Sequence, residues 1–154
     1  MTMRRRRALL VLAGGIAAAV ASRAATSPPV LAQGMAPTID APAAKGLAEA
    51  GGLLVDVRTP RELRENGRPA GSVHIALQSD DLTFNPDFVK QLLEAAGGDK
   101  SRPLALICSG NRRSLHAARV LAGQGFTQVF SVGEGIFGSN LGPGWAARGL
   151  PMAP

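Results

Sequence analysis

The sequence predicts an α/β fold with a largely parallel sheet covered by helices on both faces. Three observations carry this. Short, wholly apolar runs stand at Leu53-Leu54-Val55 and Leu104-Ala105-Leu106-Ile107, and Val129-Phe130-Ser131-Val132 reads as a further strand. Segments with helix signals precede and separate them, and glycine pairs such as Gly51-Gly52 and Gly97-Gly98 close two of those segments. Strands buried on both faces read as continuous apolar runs, and strands alternating with helices build parallel sheets.

Each element has a local reason. Asp40 before Ala41-Pro42 is an N-cap followed by an early-turn proline, opening a helix that stops at Gly51-Gly52. Thr59-Pro60-Arg61-Glu62 is a capping box with proline at the first helical position, opening a brief helix that ends near Asn66-Gly67. Ser72 to Ala76 reads as a strand. Asn85-Pro86 caps a helix with Phe88, Val89, Leu92 and Leu93 on one face. A helix from Arg113 to about Gly123 is expected to bury Leu115, Ala118, Leu121 and Ala122. The stretch Gly133 to Gly144 is glycine-rich and irregular, with Trp145 as the plug that packs it down.

The first 32 of the 154 residues stand apart. Arg4 to Arg7 form a basic head, Ala8 to Ala21 a mildly apolar middle, and Val30-Leu31-Ala32 places small residues at the expected cleavage site. These are the parts of a secretory signal, and spanning a bilayer takes about 20 apolar residues, more than this run offers. Cleavage after Ala32 is expected, with a cut near Ala24 or Ala25 and an uncleaved anchor as alternatives. The expected organisation is signal 1–32, linker 33–37 and one domain over 38–154, exported to the periplasm or secreted and without stable membrane insertion after cleavage. Five of the 17 basic residues and none of the 11 acidic ones lie in this leader, which leaves a net charge of +1 on the remainder. No basic cluster remains to suggest a nucleic-acid surface.

The chain has one cysteine, two histidines and no C-x-x-C, so an internal disulfide is excluded and a zinc site is not expected. A lone thiol sent to an oxidising compartment calls for an explanation beyond packing. Cys108 ends a buried strand, and Ser109-Gly110-Asn111-Arg112-Arg113-Ser114 turns into a helix. That geometry can aim backbone N–H groups inward beside a helix N-terminus. Gly110 and Asn111 tolerate positive φ. Arg112 and Arg113 add positive charge, and all three effects favour a thiolate nucleophile at Cys108. His74 and His116 have no carboxylate partner in sight and read as packing or surface residues.

Four motifs stand in order along residues 38 to 151. Leu54-Val55-Asp56-Val57-Arg58-Thr59-Pro60-Arg61-Glu62-Leu63 resembles a strand, then D-V-R, then x-P-x-E. Gly67 to Ile75 resembles G-H-I-P-G-A-x-x-I, Cys108 to Ser114 resembles C-x-x-G-x-R-S, and Gly144 to Pro151 resembles G-W-x-x-x-G-L-P. Together they resemble the rhodanese family of sulfurtransferases. Arg113 follows Cys108 after four residues, the sulfurtransferase loop length; the related phosphatases and arsenate reductases place that arginine one residue later, where Ser114 stands. Three departures concern substrate choice: Gly110 stands one position early with Asn111 after it, Arg68 and Leu63 replace a frequent histidine and aromatic, and the segment from Phe137 to Pro143 is longer than usual.

The resemblance implies a five-stranded, mostly parallel sheet with helices on both faces. It implies that Cys108 carries sulfur as a persulfide with Arg113 as its catalytic partner, and that Ser109, Gly110, Asn111, Arg112 and Ser114 form the substrate-binding loop. Asp56, Arg58 and Glu62 are assigned to structural support, with Arg58 and Glu62 expected to pair. No metal and no organic cofactor are expected. The partners implied are a small anionic sulfur donor and a thiophilic acceptor such as cyanide, a thiol or a protein. The alternatives are a catalytically inactive binding module in the periplasm and a redox or detoxifying thiol protein.

Overall fold

The computed structural model describes residues 36–154. The expected leader therefore lies outside the described residues, as does most of the expected linker. The elements, in chain order, are β1 (Thr38–Ile39), α1 (Ala41–Glu49), β2 (Leu53–Asp56), α2 (Pro60–Asn66), β3 (Arg68–Pro69) and β4 (Val73–His74). They continue with α3 (Phe88–Ala95), β5 (Leu104–Ile107), α4 (Arg112–Gly123), β6 (Val129–Val132) and β7 (Met152–Ala153). Five strands form one sheet in the order β1-β6-β5-β2-β4, and every pairing in it is parallel.

Strand alternation divides the core into two layers. Val55, Val57, Leu104, Leu106 and Cys108 face one side, where Phe88 and Leu92 of α3 and Ala117, Ala118 and Leu121 of α4 cover them. Leu54, Ala105 and Ile107 face the other side, against Ala41 and Ala44 of α1, Ile136 and Trp145. All four residues of β5 are buried. This is the double coverage that the apolar runs implied.

The helix starts hold as read for α1 and α2. Asp40 caps α1 by accepting from Ala43 N at 2.8 Å. At α2, Thr59 Oγ1 accepts from Glu62 N and Glu62 Oε2 accepts from Thr59 N, closing the capping box. Other details differ. Asp87 occupies the cap position of α3, and Asn85 supports the turn by accepting from Asp87 N. The expected strand Ser72–Ala76 shortens to Val73–His74. Ala36 packs on the core and Pro37 O accepts from Ser131 N at 2.9 Å, so these residues already join the sheet. Helix α4 begins at Arg112 and turns Ser114 and Ala117 fully inward beside Ala118 and Leu121, while Leu115 and Ala122 are half-buried. Small residues on that face let the helix sit close to the sheet.

Two features were not legible as elements. β3 and β7 form a separate antiparallel pair. The stretch after β6 is organised by Glu134, which is buried and accepts from Ala41 N at 2.7 Å, Gly144 N at 2.9 Å and Arg148 Nε at 2.8 Å. It thus satisfies an open N–H of α1 and ties down the tail together. Trp145 is buried and donates from Nε1 to Pro151 O at 2.9 Å, the plug role expected of it. Among the described residues no helix is long and apolar enough to cross a membrane.

Removing the Glu134 carboxylate leaves the Ala41 and Gly144 amides without their acceptor. Glu134→Ala is expected to lower stability by about 2–4 kcal/mol. Lys45→Ala, which breaks the exposed Lys45–Glu49 pair on α1, should cost under about 0.5 kcal/mol. Urea unfolding midpoints at constant m-value measure both; equal effects would contradict the role given to Glu134.

Candidate active site

The buried strand β5 delivers Cys108 to the carboxyl edge of the sheet, where open parallel sheets form their ligand sites. Its side chain is 2 % exposed and belongs to the layer covered by α3 and α4. The sulfur lies 3.4 Å from Ser114 Oγ. Ser114 Oγ also lies 3.0 Å from Asn111 O, and Ser131 Oγ lies 2.9 Å from Ser114 Oγ and 3.1 Å from Asn111 Oδ1. Each hydroxyl has one proton to give. When Ser131 donates to Ser114, the Ser114 proton is free to point at either Asn111 O or the sulfur.

The expected ring of amides around the sulfur is not present in that form: among the described residues no backbone N–H donates to Sγ. The tail explains why. Ile136 N donates to Cys108 O and Phe137 N to Ser109 O, both at 2.9 Å. In a planar trans peptide the next N–H points opposite its carbonyl. The N–H groups of Ser109 and Gly110 therefore face away from the tail, and neither has an acceptor among the described residues.

Positive φ is not found at Gly110 or Asn111 either; Asn111 has φ −124°. The position that demands glycine is Gly135, with φ +64°, where a Cβ would lie 2.1 Å from Gly110 O. Close passage of the tail over the loop supplies that constraint.

Arg113 is not directed at open space. Its Nη1 donates to Glu62 Oε2 and its Nη2 to Glu62 Oε1, each at 2.6 Å, and Ser109 Oγ donates to Glu62 Oε1 at 2.6 Å. Arg113 Nη2 also reaches Ser109 Oγ at 3.0 Å. The expected Arg58–Glu62 pair is thus corrected. Arg58 precedes the cap of α2, so helical spacing does not bring it to Glu62, and strand alternation puts it with Asp56 on the opposite face from Cys108. Arg58 Nε and Nη2 grip the Asp56 carboxylate, the shortest contact being 2.7 Å, with both side chains fully buried. Arg58 Nη2 further donates to Gly67 O at 2.6 Å, and His74 Nε2 lies 2.8 Å from Arg58 O. The exposed Phe137 ring sits 5.9 Å from the Arg58 guanidinium carbon, a cation–π contact.

Of the expected site residues, then, the structure joins Cys108 with Ser114 and Asn111, and Ser109 with Arg113 and Glu62. Asp56 and Arg58 form a separate buried pair. Arg112 is exposed and has no hydrogen-bond or ionic partner among the described residues. With Leu77, Gln78, Arg113 and His116 it lines a cavity of about 410 Å³ beside the loop. Ser131 and Gly135 were not singled out, whereas Phe137 opens the segment noted as longer than usual. A serine inside the apolar run Val129–Val132 was the one available signal. No group of three or more His, Cys, Asp or Glu side chains suited to a metal occurs among the described residues.

The family description "Rhodanese-like domain" matches residues 40–139, spanning α1 through the cysteine loop and the start of the tail. The chain belongs to the rhodanese-like domain family. The rhodanese-like domain is 37% identical over 93 residues to thiosulfate sulfurtransferase GlpE of Pseudomonas syringae pv. syringae, covering 60% of this chain and 76% of that protein. Among solved structures it resembles Rv0390 of M. tuberculosis, with TM-score 0.63, 29% identity, and coverage of 77% and 97% of the two chains. It also resembles the polysulfide-sulfur transferase homodimer of Wolinella succinogenes, with TM-score 0.55, 25% identity, and coverage of 77% and 78%. The sulfurtransferase family is thereby supported for this rhodanese-like domain, and the closing Gly144–Pro151 motif falls beyond the matched span.

The Glu62 clamp has a pH signature. Burial opposes its ionisation, but hydrogen bonds from Arg113, Ser109 and Thr59 outweigh burial and hold the carboxyl at about 2, against an ordinary 4.5. Arg113 is in turn raised, chiefly by Glu62. A depressed carboxyl contributes stability that is complete above its unfolded value and is lost as pH falls through its folded one. Melting temperature is therefore expected to drop between pH 4.5 and about 2, with a shallower slope in Glu62→Gln. Identical slopes would show that the clamp does not carry this linkage.

Proposed function

We propose that the protein is a sulfurtransferase that moves a sulfane sulfur through a persulfide on Cys108. The observation that carries this is the placement of the chain's one cysteine at the carboxyl edge of a parallel sheet, inside a loop whose length and family favour sulfur over phosphate. In the first half-reaction the Cys108 thiolate attacks the outer sulfur of thiosulfate. A Cys108 S–S bond forms, the donor's S–S bond breaks with its electron pair, and sulfite leaves. In the second, a thiophilic acceptor attacks the outer sulfur of the persulfide and the Cys108 thiolate is released. Cyanide in this step gives thiocyanate.

The neighbouring groups have roles on this reading. Ser114, 3.4 Å from the sulfur, turns its proton toward Sγ when the sulfur is anionic. The unfilled N–H groups of Ser109 and Gly110 are among the donors open to the outer sulfur of the persulfide. Arg112 steers the anionic donor, and Arg113 holds the loop through Glu62. Residues 1–32 direct export on this reading, and an N-terminus at Gln33 in the exported protein checks it.

The closed sulfur also favours a second reading, an inactive rhodanese-like module that binds a partner. Turnover of thiosulfate and cyanide separates the two. The sulfurtransferase is expected to form thiocyanate, with Cys108→Ser losing activity by at least about 10³-fold. No thiocyanate from the wild type, or equal traces from both proteins, would leave the binding module.

A further inference from the structure

Arg113, the expected catalytic partner of Cys108, is already gripped. Glu62 accepts from Thr59 N at 3.0 Å, from Ser109 Oγ at 2.6 Å and from both terminal nitrogens of Arg113 at 2.6 Å. A carboxylate offers about four lone-pair sites, so none is left over. The planar fork of Arg113, which would suit two oxygens of a sulfonate, is spent on two oxygens of a carboxylate. Both side chains are about one-quarter exposed, so the opposed charges are poorly screened by water. On the other face of the sheet Asp56 cancels Arg58 in the same way. Around the cavity beside the loop, Arg112 is left as the one arginine without a carboxylate partner among the described residues.

From this geometry we infer that Glu62 is a specificity-determining residue: by cancelling Arg113 it lowers the positive charge at the loop and biases the protein toward monoanionic sulfane donors over dianionic ones. The inference rests on the sulfurtransferase reading and adds the donor class to it. Glu62 acts through Arg113 and Ser109 and need not touch the reacting sulfur, so it is a positioning residue.

Thiosulfate and methanethiosulfonate form a matched pair of probes. Both present a sulfane sulfur on a tetrahedral sulfur, but a methyl group replaces one oxygen in the second and removes one negative charge. Attack by the Cys108 thiolate releases sulfite from the first and methanesulfinate from the second, with the same S–S bond broken. Glu62→Gln removes the charge and keeps the α2 start, because glutamine also serves at the third position of a capping box.

In the full chain, Glu62→Gln is expected to raise the ratio of kcat/KM for thiosulfate to that for methanethiosulfonate by at least about fivefold at low salt. The gain should come through KM for thiosulfate and shrink as salt is added. Glu62→Asp, which keeps the charge, should hold the ratio within about twofold of wild type. Arg113→Gln leaves Glu62 uncompensated and should move the ratio the opposite way, which carries the test if Glu62→Gln fails to fold. A merely structural Glu62 would change both donors in parallel. Parallel changes in the folded variants, or a fall of the ratio in Glu62→Gln, overturn the inference while leaving the sulfurtransferase standing. A wild type that takes sulfur from neither donor overturns both.

Discussion

The geometry of this protein turns on how the tail after β6 pins the turn between β5 and α4. Two hydrogen bonds, from Ile136 N to Cys108 O and from Phe137 N to Ser109 O, fix the first two peptide planes of the loop. Gly135 makes this approach possible, since any side chain there would collide with Gly110. Once those carbonyls point to the tail, the following amides must point away from it. The cysteine side chain, one alternation step out of phase with Ile107, is left on the layer under α3 and α4. The tail thus sets the direction of the loop amides, and strand alternation sets the layer of the thiol.

Around this turn the charges are arranged in compensated pairs. Asp56 with Arg58 is fully buried, and a buried ion pair contributes little net stability while its breakage is costly. Its work is to order the end of β2, through Gly67 O and the Arg58 carbonyl that His74 meets. Glu62 with Arg113 joins α2 to the loop across 51 residues of sequence. That tie positions Ser109 as well, so the loop is held from α2 on one side and from the tail on the other. Arg112 stands outside these pairs and lines the cavity beside the loop.

Much of the fold was legible because its signals are local. The capping residues of α1 and α2 and the apolar runs of β2, β5 and β6 each carry their own physical reason within a few residues. The pair β3–β7 was not legible, since two-residue strands have no periodicity and depend on Arg68–Pro69 meeting Met152–Ala153. The position of Cys108 followed from the end of an apolar strand. The partners of Glu62 and Arg58 did not, because nearness in sequence suggested a helical pair where Arg58 lies before the helix begins. The peptide orientations of the loop could not be read either: they are imposed by backbone atoms of residues 136 and 137, which leave no trace in side-chain pattern.

On the proposed function, the Cys108 sulfur, though closed in the resting fold, carries the transferred sulfur. Intact-mass spectrometry of the folded protein after thiosulfate treatment and removal of excess donor tests it most directly. A gain of one sulfur atom's mass is expected, reversed by cyanide and absent in Cys108→Ser. An unmodified wild type, or the same gain in the serine variant, would contradict it.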